Sequence, residues 1–240
     1  LVHVHSYSLK IEGGKIPIVI SDSSSNYLFL RDYLNWPEWR IKAQFTLKKK
    51  LFSKFGVIDA DTNLENGKKL VVFSKFAATV HKNLGAPVDK IEVIYPGLSS
   101  QNIQTKKAKK TVNILFVGIW FERKGGPQLL EAFKILLKKF KNLRLTIVGP
   151  IPKKFKISSL TIVQRDFVPR DELFKKFYPQ ADIFVLVPPK AEGFGFVVEE
   201  AQSFGIPAIV SRVYALPEIV KDGETGFVVR PSNLADLVEK

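Results

Sequence analysis

The sequence predicts an α/β protein of two lobes, each built on a parallel sheet, and three observations carry that reading. Short apolar runs alternate with amphipathic helical stretches from residue 112 onward. A looser form of the same alternation fills the first half of the chain. Between them lies a polar stretch, Ser99–Lys110, with Lys106, Lys107, Lys109 and Lys110, which reads as an interdomain linker. Strand–helix alternation of this kind covers both faces of a parallel sheet, giving Rossmann-like layers. The expected domains are residues 1–104, linker included, and residues 105–240.

The second half supplies the clearer elements. Val112–Gly118 is a short apolar run ending in glycine, as a buried parallel strand requires. Leu129–Phe140 places Leu129, Leu130, Phe133, Leu136, Leu137 and Phe140 at helical spacing with lysines between them. Leu143–Val148 and Thr161–Phe167 read as strands, and Asp171 is expected to cap a helix running toward Tyr178. Ile183–Val187 is a strand stopped by Pro188 and Pro189, and Phe196–Phe204 a helix ended by Gly205. Pro207–Ser211 and Gly226–Val229 complete the strand set. In the first half, His3, Ile16–Ile20, Leu70–Phe73 and Ile91–Ile94 lie in strand-like runs, and Phe76–Leu84 is helical. Residues 26–66 show no clean period.

Composition narrows the function classes. At 240 residues, 45% hydrophobic and 12% aromatic, the chain has the means to build a core and is not a disordered segment. With no cysteine there is no disulfide, cysteine-ligated zinc, iron–sulfur cluster or thiol nucleophile. No apolar run approaches the roughly 18 residues of a membrane helix, and the N-terminus lacks a secretory pattern. A cytoplasmic location is expected. There is no methionine, and the chain opens on a strand-like Leu1–His5 and closes inside an amphipathic stretch, so it is expected to be an internal segment of a longer protein. The net charge of +14 suggests an anionic partner: nucleotide phosphates, an acidic membrane surface or nucleic acid. The basic excess is denser over residues 1–110, where 18 basic side chains face 9 acidic ones.

Two loops carry the chemistry. The first, Gly118–Gly126, joins a strand to a helix. Its glycines let the backbone turn closely, the helix N-terminus offers free N–H groups, and Arg123 and Lys124 add positive charge. That set favours a phosphate or diphosphate. The second, Ala191–Glu200, follows the Ile183 strand. Gly193 and Gly195 allow successive N–H groups, around Phe194, Phe196 and Val197, to point at an anion. Glu192 precedes the helix, and Glu200 lies one to two turns inside it, where a carboxylate can accept two hydrogen bonds from a ribose diol. Glu199 is about 100° around the helix from Glu200 and is expected to point elsewhere. The competing reading makes the glutamates a solvated helix face and a cap.

Glu192 and Glu200 stand in the E-x7-E spacing of retaining, nucleotide-sugar-dependent glycosyltransferases, and the surrounding stretches resemble the large "group 1" family of GT-B fold. Phe116-Val117-Gly118, Arg123-Lys124-Gly125 and Leu129–Phe133 resemble its phosphate-loop segment. Glu200–Pro207 resembles its E-A-x-A-x-G-x-P stretch, and Leu216–Phe227 its P-E-I-V-x-D-G-x-x-G-F segment. The likeness is close over 112–240 and looser over Leu70–Gly97.

The resemblance implies two Rossmann-like domains, the first incomplete and the second lacking its closing helix. It also implies a nucleoside-diphosphate sugar as substrate, no cofactor and no metal. Lys124, with Arg123, would neutralise the diphosphate leaving group, aided by N–H groups near Gly195 and Phe196. Glu200 would hold the ribose, and Glu192 would lie near the donor sugar. As a covalent nucleophile Glu192 lacks the second carboxyl, about 5 Å away, that double displacement requires. The acceptor would be a glycan, a lipid-linked carrier or a small molecule, with peripheral contact to an anionic membrane. Three departures stand out: Ile119 replaces a common arginine, Ala215-Leu216 replaces a small pair, and Ser21–Ser25 replaces an acceptor-side histidine. Asp22 takes either an acceptor-side role or a place in a serine-rich turn. His3 and His5 read as structural. The alternatives are a non-catalytic relative that binds sugar nucleotides and, ranked last for want of a reader motif, a nucleic-acid-binding module.

Overall fold

A computed structural model describes residues 2–5, 9–10, 18–62, 64, 69–99, 101, 110–155 and 159–240. The chain divides into two compact units, Leu1–Gly97 and Leu98–Lys240. Most of the expected linker, with Lys106, Lys107 and Lys109, lies outside the described residues, as does the expected boundary at 104/105.

Among the described residues, the first unit contains β1 (Val2–His5), β2 (Leu9–Lys10), β3 (Ile18–Asp22), α1 (Asn26–Leu28), α2 (Glu38–Phe55), β4 (Val57–Ile58), β5 (Lys69–Val72), α3 (Lys75–Asn83) and β6 (Ile91–Val93). Strands β1, β3, β5 and β6 pair in that order, all parallel, while β2 and β4 form a separate antiparallel pair. Ile18, Ile20, Leu70 and Val72 from the two central strands bury against Ala77 of α3. Ser74 starts α3 by accepting the Ala77 N–H at 3.0 Å, so the helix begins one residue before the expected Phe76.

Helix α2, of 18 residues, occupies the stretch that showed no period. The reason is physical. Ile41 is its one fully buried residue among those described, and Trp39, Leu47, Leu51 and Phe55 are exposed, so apolar side chains lie on both sides of the helix.

Among its described residues, the second unit contains β7 (Val112–Val117), α4 (Gly126–Lys139), β8 (Leu143–Val148), β9 (Ile162–Arg165), α5 (Arg170–Glu172), β10 (Ile183–Leu186), α6 (Phe196–Ser203), β11 (Ala208–Ser211), α7 (Leu216–Ile219), β12 (Gly226–Val229) and α8 (Leu234–Glu239). Its sheet runs β12-β11-β10-β7-β8-β9, parallel throughout. From β7 the chain winds outward through β8 and β9, then returns to β10 on the other side. The order therefore reverses between β7 and β10, and ligands of such sheets bind at the carboxyl ends of the strands flanking that reversal.

Phe116, Phe133, Tyr178 and Phe184 are fully buried and knit the sheet to its helices. Burying a side chain of that size stabilises the fold by about 1.5–3 kcal/mol. The strands match the expected runs to within two residues. The segment after Phe167 does not. Asp171 is not a cap: Pro169 precedes the first turn, and its carbonyl accepts the N–H groups of Glu172 and Leu173. The fixed φ of proline prepares that start without a side-chain cap. The chain then widens into a π turn at Leu173–Phe177 and tightens into a 3₁₀ turn at Tyr178–Gln180, where Pro179 supplies no N–H to continue an α-helix.

Candidate functional site

Both loops singled out in the sequence fall at the reversal point. Gly118–Gly125 leaves the carboxyl end of β7, and 187–195 leaves the carboxyl end of β10. Gly125 adopts φ +86° as the N-cap of α4, and a Cβ there would run into the backbone carbonyl of Val187, so the two loops meet only because position 125 is glycine. Gly118 has a related duty, since a Cβ on it would press on the stem of Lys124.

That stem carries the Lys124 ammonium across the reversal point. Its Nζ donates to Glu192 Oε2 at 2.8 Å, with the two side chains only 13% and 7% exposed. Arg123 lies beside it, its guanidinium 5.8 Å from the centre of the Trp120 ring. Gly195 caps α6 at φ +96°, Phe194 is buried, and Phe196 packs edge-on against it at 5.2 Å between centroids. The Gly195 carbonyl accepts the Val198 N–H at 2.8 Å, and the first turn of α6 carries the positive end of the helix dipole.

A cavity of about 380 Å³ opens here, lined by Gly118, Trp120, Arg123, Lys124, Phe167 and Val197 among others. Two cations, an exposed aromatic ring and the first turn of α6 share that space, and this combination suits a nucleotide. Glu200 lies one turn beyond Val197 and is buried. Both its oxygens are engaged: Arg170 Nε donates to Oε1 at 2.9 Å and Tyr178 Oη donates to Oε2 at 2.8 Å. Burial first, then the Glu200 charge, push the Tyr178 phenol far above its ordinary value, so it stays a donor.

Glu199 is not on a solvated face. It is half-buried, and its Oε2 is enclosed with no hydrogen-bond partner among the described residues. Burial and then the neighbouring Glu200 raise its carboxyl above the ordinary range.

The structure thus gathers Gly118, Arg123, Lys124, Glu192, Gly193, Phe194, Gly195, Phe196, Val197 and Glu200 at one edge of one sheet. Sequence reasoning missed Arg170, Tyr178 and Phe167. They come from the segment after β9, which the sequence marks only by Asp171 as the expected cap of a helix running toward Tyr178.

Asp22 belongs to the first unit. It closes β3, accepts the Ser24 N–H at 3.2 Å and is buried. The serine-rich turn does cap a helix, Ser25 Oγ accepting the Tyr27 N–H at 3.0 Å. Asp22 also faces a buried histidine: His81 Nε2 is 3.4 Å from Asp22 Oδ2, and His81 Nδ1 is 3.8 Å from Asp61 Oδ1. Among the described residues, these three form the group whose ligand atoms lie close enough together, within 4.8 Å, to hold a metal ion. Burial would lower the His81 imidazole, but the Asp22 and Asp61 carboxylates outweigh it and raise it above its ordinary value. Burial raises the Asp61 carboxyl. Asp61 is already held by Ser25 Oγ at 2.6 Å and the Asn26 N–H at 3.2 Å. His3 and His5 each place a ring nitrogen 2.9 Å from Ser21 Oγ.

Solved structures share the fold. HepE of Anabaena, in complex with UDP and glucose, superposes with a TM-score of 0.67 at 14% identity, over 93% of this chain and 60% of its own. WaaB, a lipopolysaccharide outer core galactosyltransferase, gives 0.65 at 17% identity, over 95% and 65%. Sucrose-phosphate synthase of Thermosynechococcus elongatus gives 0.70 at 17% identity, over 95% and 58%. The chain spans about three fifths of the length of these structures. The shared architecture is the GT-B fold, α/β with parallel sheets. No curated protein matches the sequence. The model of the glycosyl transferases group 1 family matches residues 99–240, more than half of the chain and all of the reversal-point site, and the chain belongs to that family.

Proposed function

We propose that the protein transfers a sugar from a nucleoside-diphosphate sugar to a glycan, lipid-linked or small-molecule acceptor, with retention of anomeric configuration. The observation that carries the reading is the 2.8 Å bond from Lys124 to Glu192 across the reversal point, between the loops after β7 and β10. HepE, which shares the fold, has been solved in complex with UDP-glucose, and a uridine-diphosphate sugar is the corresponding donor here.

In this reading the nucleotide lies in the 380 Å³ cavity with its base toward Phe167 and its diphosphate toward Lys124 and Arg123. As the bond to the anomeric carbon breaks, negative charge develops on the diphosphate. Lys124, Arg123 and the α6 N–H groups are in place before that charge appears, so they favour the transition state without reorganising. Glu200 receives the ribose diol as Arg170 yields Oε1. Glu192, held by Lys124, orients the donor sugar rather than attacking it. No metal enters the scheme, since the leaving group's charge is met by side-chain cations. The protein works from the cytoplasmic side, in contact with an anionic membrane where the acceptor is lipid-linked.

The test is sugar transfer by the complete protein, with the anomeric configuration of donor and product read by NMR coupling constants. A product of the donor's own configuration, lost in Lys124→Ala, is expected. Inversion contradicts the reading. Donor binding without transfer or hydrolysis across a broad acceptor panel favours the second reading, a non-catalytic sugar-nucleotide binder. Ile119, exposed in the first loop where the family resemblance implies a common arginine, is the observation behind it.

A further inference from the structure

The first unit holds a cavity of its own, of about 750 Å³, which shares no residue with the one at the reversal point. One stripe of α2 lines it. Glu38, Lys42, Phe45 and Lys49 stand at i, i+4, i+7 and i+11, and at about 100° per residue they fall within about 60° of one another on the helix surface. Another part of the lining is apolar: Leu28 and Leu64 are buried, and Leu84, Ala86 and Pro87 are half-buried. The rings of Tyr27 and Phe45, both in the lining, meet edge-on at 6.1 Å between centroids.

The charges around this cavity do not cancel. Arg31 is gripped by Asp32 through two bonds of 2.7 and 2.8 Å, and Lys42 lies 3.2 Å from Glu38. Lys49 is exposed and meets no acid among the described residues. Asp61, the other acid of the lining, is buried with both oxygens engaged, Oδ1 by Ser25 Oγ and Oδ2 by the Asn26 N–H. Thr46 and Asn83, both exposed, add a hydroxyl and an amide. The lining thus offers aromatic and aliphatic faces, neutral polar partners and one cation in excess.

We propose that this cavity binds an acidic saccharide, with a sugar ring packed on Tyr27 and Phe45 and its carboxylate or phosphate on Lys49. A pyranose presents C–H faces for the rings to cover and hydroxyls for Thr46 and Asn83 to meet, the mixture that this lining offers. The excess cation selects an acidic sugar over a neutral one. The proposal names a substrate class for the sugar transfer proposed above and depends on that reading for its purpose alone. A second hold on an acidic glycan keeps it at the protein and raises its effective concentration with no new contact to the donor.

The experiment is calorimetric titration of the 240-residue chain, at low and high salt, with trigalacturonate, its neutral methyl ester and galactose 6-phosphate. Three variants at exposed positions of α2 are run beside it: Lys49→Glu, Lys49→Arg and Thr46→Trp, the last setting an indole in the cavity. Trigalacturonate or galactose 6-phosphate should bind at least tenfold more tightly than the methyl ester, and more weakly as salt rises. Preference for the first assigns a carboxylate to the Lys49 position, and preference for the second a phosphate. Lys49→Glu and Thr46→Trp should each lose at least tenfold and Lys49→Arg should keep the affinity, with circular dichroism and UDP binding unchanged in all three. Equal affinity for acid and ester, binding of none of the three probes, or undiminished binding in Lys49→Glu or Thr46→Trp would each overturn the proposal. Retained UDP binding without saccharide binding defeats this proposal alone, and the converse result defeats the donor assignment alone.

Discussion

The Tyr178 hydroxyl donates to Glu200 Oε2 at 2.8 Å in a setting where the tyrosine is fully buried and the carboxylate nearly so. The other oxygen is held by Arg170, whose side chain is 63% exposed. Two bonds to one carboxylate thus differ in burial, and burial sets their worth. Tyr178→Phe leaves a buried acceptor without its donor, at a cost of about 1–3 kcal/mol. Arg170→Ala removes a solvent-screened pair worth about 0–1 kcal/mol. Urea midpoints should show Tyr178→Phe as the clearly weaker protein; equal losses would mean that burial does not govern this carboxylate.

Lys124 and Glu192 give a second comparison. Glu192 is buried and the Lys124 side chain is 13% exposed, so Lys124→Ala strands a buried carboxylate charge and is expected to cost about 3–5 kcal/mol. Lys124→Ala/Glu192→Ala removes the stranded charge as well and should recover a good part of the loss. Denaturant titration of the single and double variants checks this, and a double variant weaker than Lys124→Ala would refute it.

Stability should fall as pH rises from near neutrality. His81 is raised above its ordinary 6.5 by Asp22 and Asp61, so its folded state holds a proton that the unfolded chain has released. The resulting stabilisation is complete below about pH 6.5 and is lost as pH climbs through the folded value. Asp61, also raised, acts in the same direction at lower pH. Calorimetry from pH 6 to 9 should show a declining melting temperature in the natural chain and a flatter profile in His81→Gln.

Gly195→Ala should disable the nucleotide site more than its size suggests. The position holds φ +96°, and a Cβ would meet the Leu216 side chain at 2.6 Å. A non-glycine residue held in that backbone region costs of order 1–3 kcal/mol, and relief comes only by moving the first turn of α6. Nucleotide affinity should drop at least tenfold in calorimetry. Unchanged affinity would show that the turn does not contact the ligand.

Much of the site was legible because it is local. Gly118, Arg123, Lys124 and Gly125 share one loop, and Glu192 through Glu200 another, so spacing alone placed each group at a strand end. What spacing cannot convey is which strands become neighbours. The β7–β10 adjacency, and with it the Lys124–Glu192 bond, follows from sheet order. Arg170 and Tyr178 reach Glu200 from a segment 22 to 30 residues away, and the turns at Pro169 and Pro179 that aim them give no helical period. Helix α2 was hidden for the opposite reason: its apolar residues obey two environments at once. His81 carries no sequence signal of its own, because its partners Asp22 and Asp61 are joined to it by packing between β3, the loop after β4, and α3.

The central claim is a nucleoside-diphosphate site at the carboxyl ends of β7 and β10. Isothermal titration of UDP, ADP and GDP into the natural chain, Lys124→Ala and Glu200→Ala tests it most directly. One nucleotide is expected to bind preferentially, and each variant to bind it at least tenfold more weakly. Equal affinity for that nucleotide in all three proteins would contradict it.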